Sequence, residues 1–182
     1  LSIFLLFVGL YSVAQKTEQL YLSGTDSKQT VQWDFFCTDG RRSNAWEKIA
    51  VPSCWEQQGF GNYNYGRDYK TNGKNSRFAD ESGLYKYQFT VPQNWKGKSI
   101  DIVFEGSMTD TEVKVNGQLA GAIHQGSFYR FSYDVTTLLK PGAKTVVEAL
   151  SILVRIARHS LESSSAILNH PSLLKVIADS FL

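Results

Sequence analysis

Between Trp33 and Ala149 apolar and polar residues alternate in short runs broken by Gly, Asn, Pro and Asp. Alternation of period two marks strands with one buried face. Leu84 to Val91 alternates through Tyr85, Tyr87, Phe89 and Val91 until Pro92, which lacks the N–H that a ladder needs, stops it. Ser99 to Glu105 repeats the pattern through Ile100, Ile102 and Phe104. Thr111 to Val115 runs into Asn116-Gly117, the dipeptide that best tolerates the positive φ angles of a type I′ hairpin turn, and Leu119 to Ile123 is expected to pair back. Tyr129, Phe131 and Tyr133 alternate with Arg130 and Ser132, a further strand with Phe128 at its edge. Thr136 to Lys140 reads as one helical turn closed by Pro141-Gly142 and capped by Asp134, and Lys144 to Glu148 as a last β-branched stretch.

Five or six short strands spaced about every ten residues must hide their apolar faces against a second sheet. The expected fold class is therefore all-β, a sandwich or barrel. From Trp55 to Ser82 the pattern lapses into a glycine-, asparagine- and tyrosine-rich stretch, read as a long ordered loop.

Both ends depart from this grammar. Residues 1–14, LSIFLLFVGLYSVA, are apolar and uncharged, too short to span a bilayer, with Ser12 and Ala14 placed for cleavage after Ala14. They are read as the remnant of a signal peptide, so the protein is expected to be exported, to the periplasm or beyond the cell. From Leu150 to Leu182 the spacing of Ile152, Ile156 and Leu161, and of Leu173, Leu174, Ile177 and Phe181, is helical. This segment is expected to form short helices or to fray.

The chain has 182 residues, 42% of them hydrophobic, enough for one ordinary core. Its net charge of +2, with no basic run, argues against a nucleic-acid partner. Cys37 and Cys54 allow a single disulfide or two buried thiols. The histidines lie at His124, His159 and His170 with no carboxylate at ligand spacing, so neither a metal nor another cofactor is expected.

Six segments, taken in order, resemble glycoside hydrolase family 2, the family of β-galactosidases and β-glucuronidases. They are Ile49-Ala50-Val51-Pro52-Ser53-Cys54-Trp55-Glu56-Gln57-Gln58-Gly59-Phe60; Tyr85, Phe89, Val91-Pro92 with Trp95-Lys96-Gly97-Lys98; Phe104-Glu105-Gly106; Val113, Val115-Asn116-Gly117; Gly121, His124, Gly126; and Phe131 with Asp134-Val135-Thr136. The resemblance implies the jelly-roll, galactose-binding-domain-like sandwich that precedes an immunoglobulin-like domain and a TIM barrel in that family. It divides the chain into the signal remnant at 1–14, the sugar-binding sandwich at 15–149 and a non-family tail at 150–182, such as a shifted reading frame would leave.

The two glutamates that perform hydrolysis in that family sit on the barrel. None of Glu47, Glu56, Glu81, Glu105 or Glu112 matches their motifs, so the chain is expected to be an inactive N-terminal portion of an enzyme acting on β-galactosides or β-glucuronides. The alternative is a free-standing carbohydrate-binding module. In either case carbohydrate is the expected ligand and the absent immunoglobulin-like and barrel domains the expected partners. The candidate sugar contacts are Asn64, Tyr65, Arg67 and Asp68, which offer an aromatic face and a bidentate cation for hydroxyl oxygens or a carboxylate; a structural loop with Arg67 paired to Asp68 or Asp80 is the other reading. Trp33, Trp46 and Trp55 are read as core anchors in preference to sugar platforms.

Overall fold

A computed structural model describes residues 17–62, 81–107, 110–126, 129–152 and 174–179. Among the described residues ten strands run in chain order: β1 Glu18–Tyr21, β2 Val31–Cys37, β3 Trp46–Val51, β4 Ser82–Thr90, β5 Ser99–Phe104, β6 Thr111–Val115, β7 Gln118–Leu119, β8 Phe131–Asp134, β9 Lys144–Ile152 and β10 Leu174–Asp179. They form two antiparallel sheets, one of four strands in the order β1-β10-β5-β8 and one of six in the order β3-β2-β4-β9-β6-β7.

The period-two pattern decides which residues meet between the sheets. Trp33, Phe35, Ile49, Val51, Val113, Val115 and Val147 point inward from the larger sheet, and Ile100, Ile102, Phe104, Leu174, Val176 and Ala178 from the smaller. Trp33 stacks on Tyr87 with ring centroids 4.9 Å apart and donates its Nε1–H to the Leu22 carbonyl at 3.0 Å, so the largest core ring leaves no buried donor unpaired. Trp95 is anchored likewise, donating Nε1–H to Glu18 Oε2 at 3.1 Å and tying the β4–β5 connection to β1. The structure is thus the all-β sandwich that the alternation implies.

The hairpin turn is where the sequence puts it: Asn116 and Gly117 have φ of 52° and 80° between β6 and β7. Its return strand is shorter than expected. β7 ends at Leu119; beyond it the Ala120 N–H still donates to the Val113 carbonyl of β6 at 2.9 Å, and Thr111 and His124 form an isolated bridge. Thr136–Leu138 forms the single helical turn, and Asp134 Oδ1 accepts the Thr136 N–H at 2.9 Å. The Thr136 hydroxyl first, and then this N–H, hold the Asp134 carboxyl below the usual carboxylate range.

The helical reading of the last segment is corrected at 150–152 and 174–179, while Ile156, Leu161, Leu173 and Phe181 lie outside the described residues. Ile152 is still part of β9, and Leu174–Asp179 is a strand lying between β1 and β5. Leu174, Val176 and Ala178 face the core while Lys175 and Ile177 face outward. In six residues that period of two is hidden inside the helical spacing of Leu173, Leu174 and Ile177. The choice is made by the free edges of β1 and β5, whose backbone groups need a partner strand. The apolar run at 1–14 lies outside the described residues, and among the described residues no helix is long and apolar enough to cross a membrane.

Candidate functional site

The candidate sugar contacts Asn64, Tyr65, Arg67 and Asp68 lie outside the described residues, but the two ends of their loop are fixed in detail. The outgoing end, Phe60–Asn62, is held by the turn after β2. Arg41 Nε donates to the Gly61 carbonyl at 2.8 Å, and the Gly61 N–H donates back to the Arg41 carbonyl at 2.9 Å. Arg42 sits over the Phe60 ring, 4.1 Å from guanidinium carbon to centroid, donates Nη1–H to the Gln58 carbonyl at 2.9 Å and pairs with Glu47. This turn must run close to the loop: a Cβ on Gly40, whose φ is 80°, would lie 2.7 Å from the Gly61 carbonyl carbon and 2.8 Å from the Asn62 nitrogen.

The returning end is held by Glu81. Its Oε1 accepts the Asn62 backbone N–H at 2.7 Å, closing the stem, and Ser82 continues into β4 with its N–H donated to Thr38 Oγ1 at 2.7 Å. Glu81 is 3% exposed, and its Oε2 is buried without a hydrogen-bond partner among the described residues. A buried oxygen left without a partner there favours an incoming N–H or O–H donor.

Beside this stem the surroundings are aromatic. Tyr85 lies 4.6 Å from Phe35 and 6.4 Å from Trp55, ring centroid to centroid. Burial among them pushes the Glu56 carboxyl up to about 7, with the charge of Glu81 adding to the rise. Burial likewise raises the Tyr85 hydroxyl and the Cys37 thiol, the latter against a hydrogen bond from its Sγ to the Asp39 carbonyl at 3.1 Å. Near neutral pH Glu56 is therefore divided between an acid that donates a hydrogen bond and a carboxylate that accepts one, which suits it to hydroxyl groups.

Trp33 and Trp55 are core residues, at 2% and 4% exposure, as the sequence implies. Trp46 is not: at 53% exposure it stands on the outer face of the six-stranded sheet, because Ile49 and Val51 take the inward positions of β3 and Trp46 has the opposite parity. His124 Nε2 lies 3.0 Å from the Gly126 carbonyl and its ring stacks 3.7 Å from Phe131. Cys37 and Cys54 form no disulfide. Among the described residues no His, Cys, Asp and Glu side chains gather as a metal site. Glu47, Glu105 and Glu112 are paired with Arg42, Lys175 and Lys114 respectively, leaving Glu56 and Glu81 as the carboxylates at the stem. Sequence reasoning did not single out Arg41, Arg42, Glu56 or Glu81 for this stem. The available signal was an acid immediately before a strand, at the end of the glycine- and asparagine-rich stretch.

The model of the family described as "Glycosyl hydrolases family 2, sugar binding domain" matches residues 26–164. A β-galactosidase of Thermoanaerobacter pseudethanolicus is 40% identical over 58 residues, covering 32% of this chain and 8% of its own. A protein named putative beta-glucuronidase from Formosa agariphila is 30% identical over 102 residues, covering 56% and 11%. An RNA polymerase II-associated protein 1 from Rattus norvegicus is also similar, 35% identical over 78 residues, covering 43% and 6%. In three dimensions the β-glucuronidase of Ruminococcus gnavus superposes with a TM-score of 0.61 at 19% identity, over 89% of this chain and 29% of that one. The matches thus span about a tenth or less of the length of these curated relatives and under a third of the solved structure.

Proposed function

The chain belongs to the glycosyl hydrolases of family 2, as their sugar binding domain, and from that membership we propose that it serves an exported enzyme acting on β-galactosides or β-glucuronides as a non-catalytic part. Its task is to carry the loop between Asn62 and Glu81 toward a substrate cleft that other domains complete, an immunoglobulin-like domain and a TIM barrel among them.

The observation that carries this reading is the stem. Arg41, Arg42 and Glu81 fix both ends of the eighteen-residue stretch 63–80, whose composition offers Asn64, Tyr65, Arg67 and Asp68 to a sugar. A rigid scaffold presenting an irregular loop is the common arrangement for ligand contact. The chain by itself holds no pair of carboxylates matching the family's acid/base and nucleophile, and it is inert as a hydrolase in this reading.

Two measurements test the proposal. Purified chain incubated with chromogenic β-galactoside and β-glucuronide should release no product above buffer; turnover would refute the non-catalytic role. Calorimetric titration with galactosides and glucuronides should show weak binding that Arg67→Ala removes, and binding untouched by that change would take the loop out of sugar contact. Export follows from the uncharged apolar run at 1–14. N-terminal sequencing of the protein recovered outside the cytoplasm should start at Gln15.

A further inference from the structure

The outer face of the six-stranded sheet carries an order that the core does not require. Strand register aligns Trp46, Phe36, Leu84, Leu150 and Glu112 in one row across β3, β2, β4, β9 and β6. The next row aligns Lys48, Asp34, Lys86, Glu148 and Lys114, alternating in charge at every step. Lys48 pairs with Asp34 at 2.6 Å, Lys86 with Glu148 at 2.9 Å, and Lys114 with Glu112 at 2.8 Å. The side chains of Trp46, Leu84, Glu112, Lys114, Glu148 and Leu150 line one depression.

We infer that this depression is a second carbohydrate site, binding a neutral oligosaccharide laid across the strands with Trp46 as its stacking platform. A pyranose ring has an apolar C–H face and a rim of hydroxyls. The groove matches both halves: Trp46, Leu84 and Leu150 supply the apolar surface, while the flanking row supplies ammonium donors and carboxylate acceptors. Trp46 is exposed yet steadied by Phe36, with ring centroids 5.6 Å apart. From β3 to β6 the row crosses four interstrand gaps, about 19 Å, the reach of a short oligosaccharide chain and more than a single sugar needs.

Charge selects among occupants. Glu112 and Glu148 cancel Lys86 and Lys114, so no net field draws in phosphate or a polyuronate. The apolar strip is one side chain wide, well short of the roughly 800 Å² per partner that a stable dimer buries. The site shares no residue with the loop at Asn64–Asp68 and stands independently of the function proposed for it.

The full chain titrated calorimetrically with cellotetraose and with β-1,4-galactotetraose tests this. The expected result is millimolar or tighter binding to at least one, weakened about tenfold or more in Trp46→Ala and weakened in Glu148→Gln, with Arg67→Ala leaving it unchanged. Trp46 is surface-exposed, so its removal should leave the thermal transition in place, which separates lost binding from lost folding. Absence of saturable binding to both sugars overturns the inference. So does Trp46→Ala binding like the parent, or sedimentation showing a dimer that Trp46→Ala dissociates. Binding lost in Arg67→Ala but kept in Trp46→Ala overturns this site while leaving the loop's proposed role intact.

Discussion

Glu81 and Asn62 stand nineteen positions apart in sequence and meet at 2.7 Å, carboxylate oxygen to backbone nitrogen, so that one buried acid closes the stem of the loop proposed to contact sugar. Removing the acceptor strands the Asn62 N–H. Glu81→Ala should lower unfolding free energy by about 2 kcal/mol, measured by urea denaturation. Glu81→Gln keeps an acceptor for the Asn62 N–H and should cost less than half as much. Equal losses in the two variants would mean that volume, and not the hydrogen bond, is what matters there.

Gly83 lies where β4 passes under Trp55. A Cβ there would sit 1.7 Å from Trp55 Cζ3 and 2.7 Å from Phe35 Cε2, two rings with no room to retreat. Gly83→Ala should therefore cost more than about 3 kcal/mol or prevent folding. Gly117→Ala, at the hairpin turn with nothing within 4 Å, bears only the strain of its positive φ and should cost about 1 kcal/mol. Comparing thermal midpoints of the two variants checks both.

Two carboxyls set opposing slopes of stability against pH. Hydrogen bonds from Lys98, then Trp95 and Asn94, lower Glu18 from its ordinary 4.5 to about 2. The unfolded chain then binds the proton more readily, so this contribution is complete above 4.5 and is lost as pH falls toward 2. Glu56 is the reverse: burial raises it from 4.5 to about 7, the folded chain binds the proton more readily, and stability falls as pH rises from 4.5 through 7, by at most about 3 kcal/mol. Taken together they place maximal stability near pH 4.5. Urea midpoints across pH 2–8 should show that maximum. Glu56→Gln should flatten the alkaline limb and Glu18→Gln the acid one.

β10 provides a test in which strand and helix give opposite answers. In the strand Val176 is 1% exposed and Ile177 faces outward. A helix built on Leu173, Leu174, Ile177 and Phe181 would bury Ile177 and expose Val176. Val176→Asp, which buries an unpaired charge, should cost more than about 3 kcal/mol and Ile177→Asp distinctly less. The opposite ranking by differential scanning calorimetry would restore the helix.

The strands from Leu84 to Glu148 were legible because one face of each is buried and the other wetted, so hydrophobic alternation mirrors the fold directly. β4, β5, β6, the Asn116-Gly117 turn and the turn at Thr136–Leu138 all fall where that pattern puts them. β10 was not legible, since its conformation is imposed by two strands remote in sequence and not by its own composition. The exposure of Trp46 was hidden for a related reason: residue type favours the core, and only the parity of β3, set by Ile49 and Val51, turns it outward. Asn64, Tyr65, Arg67 and Asp68 belong to a stretch with no periodicity, where composition names a chemistry without fixing a geometry.

The pairing of β1 with β10, Glu18 opposite Ala178, bears on how the protein is made. The smaller sheet joins strands far apart in sequence, so during synthesis β1 and β5 leave the ribosome well before the strand that lies between them. Until β10 arrives, both present open backbone edges and an uncovered apolar face. Assembly of this sheet waits on its latest-made strand, a long-range closure of the kind that folds slowly and draws on chaperones in the interval.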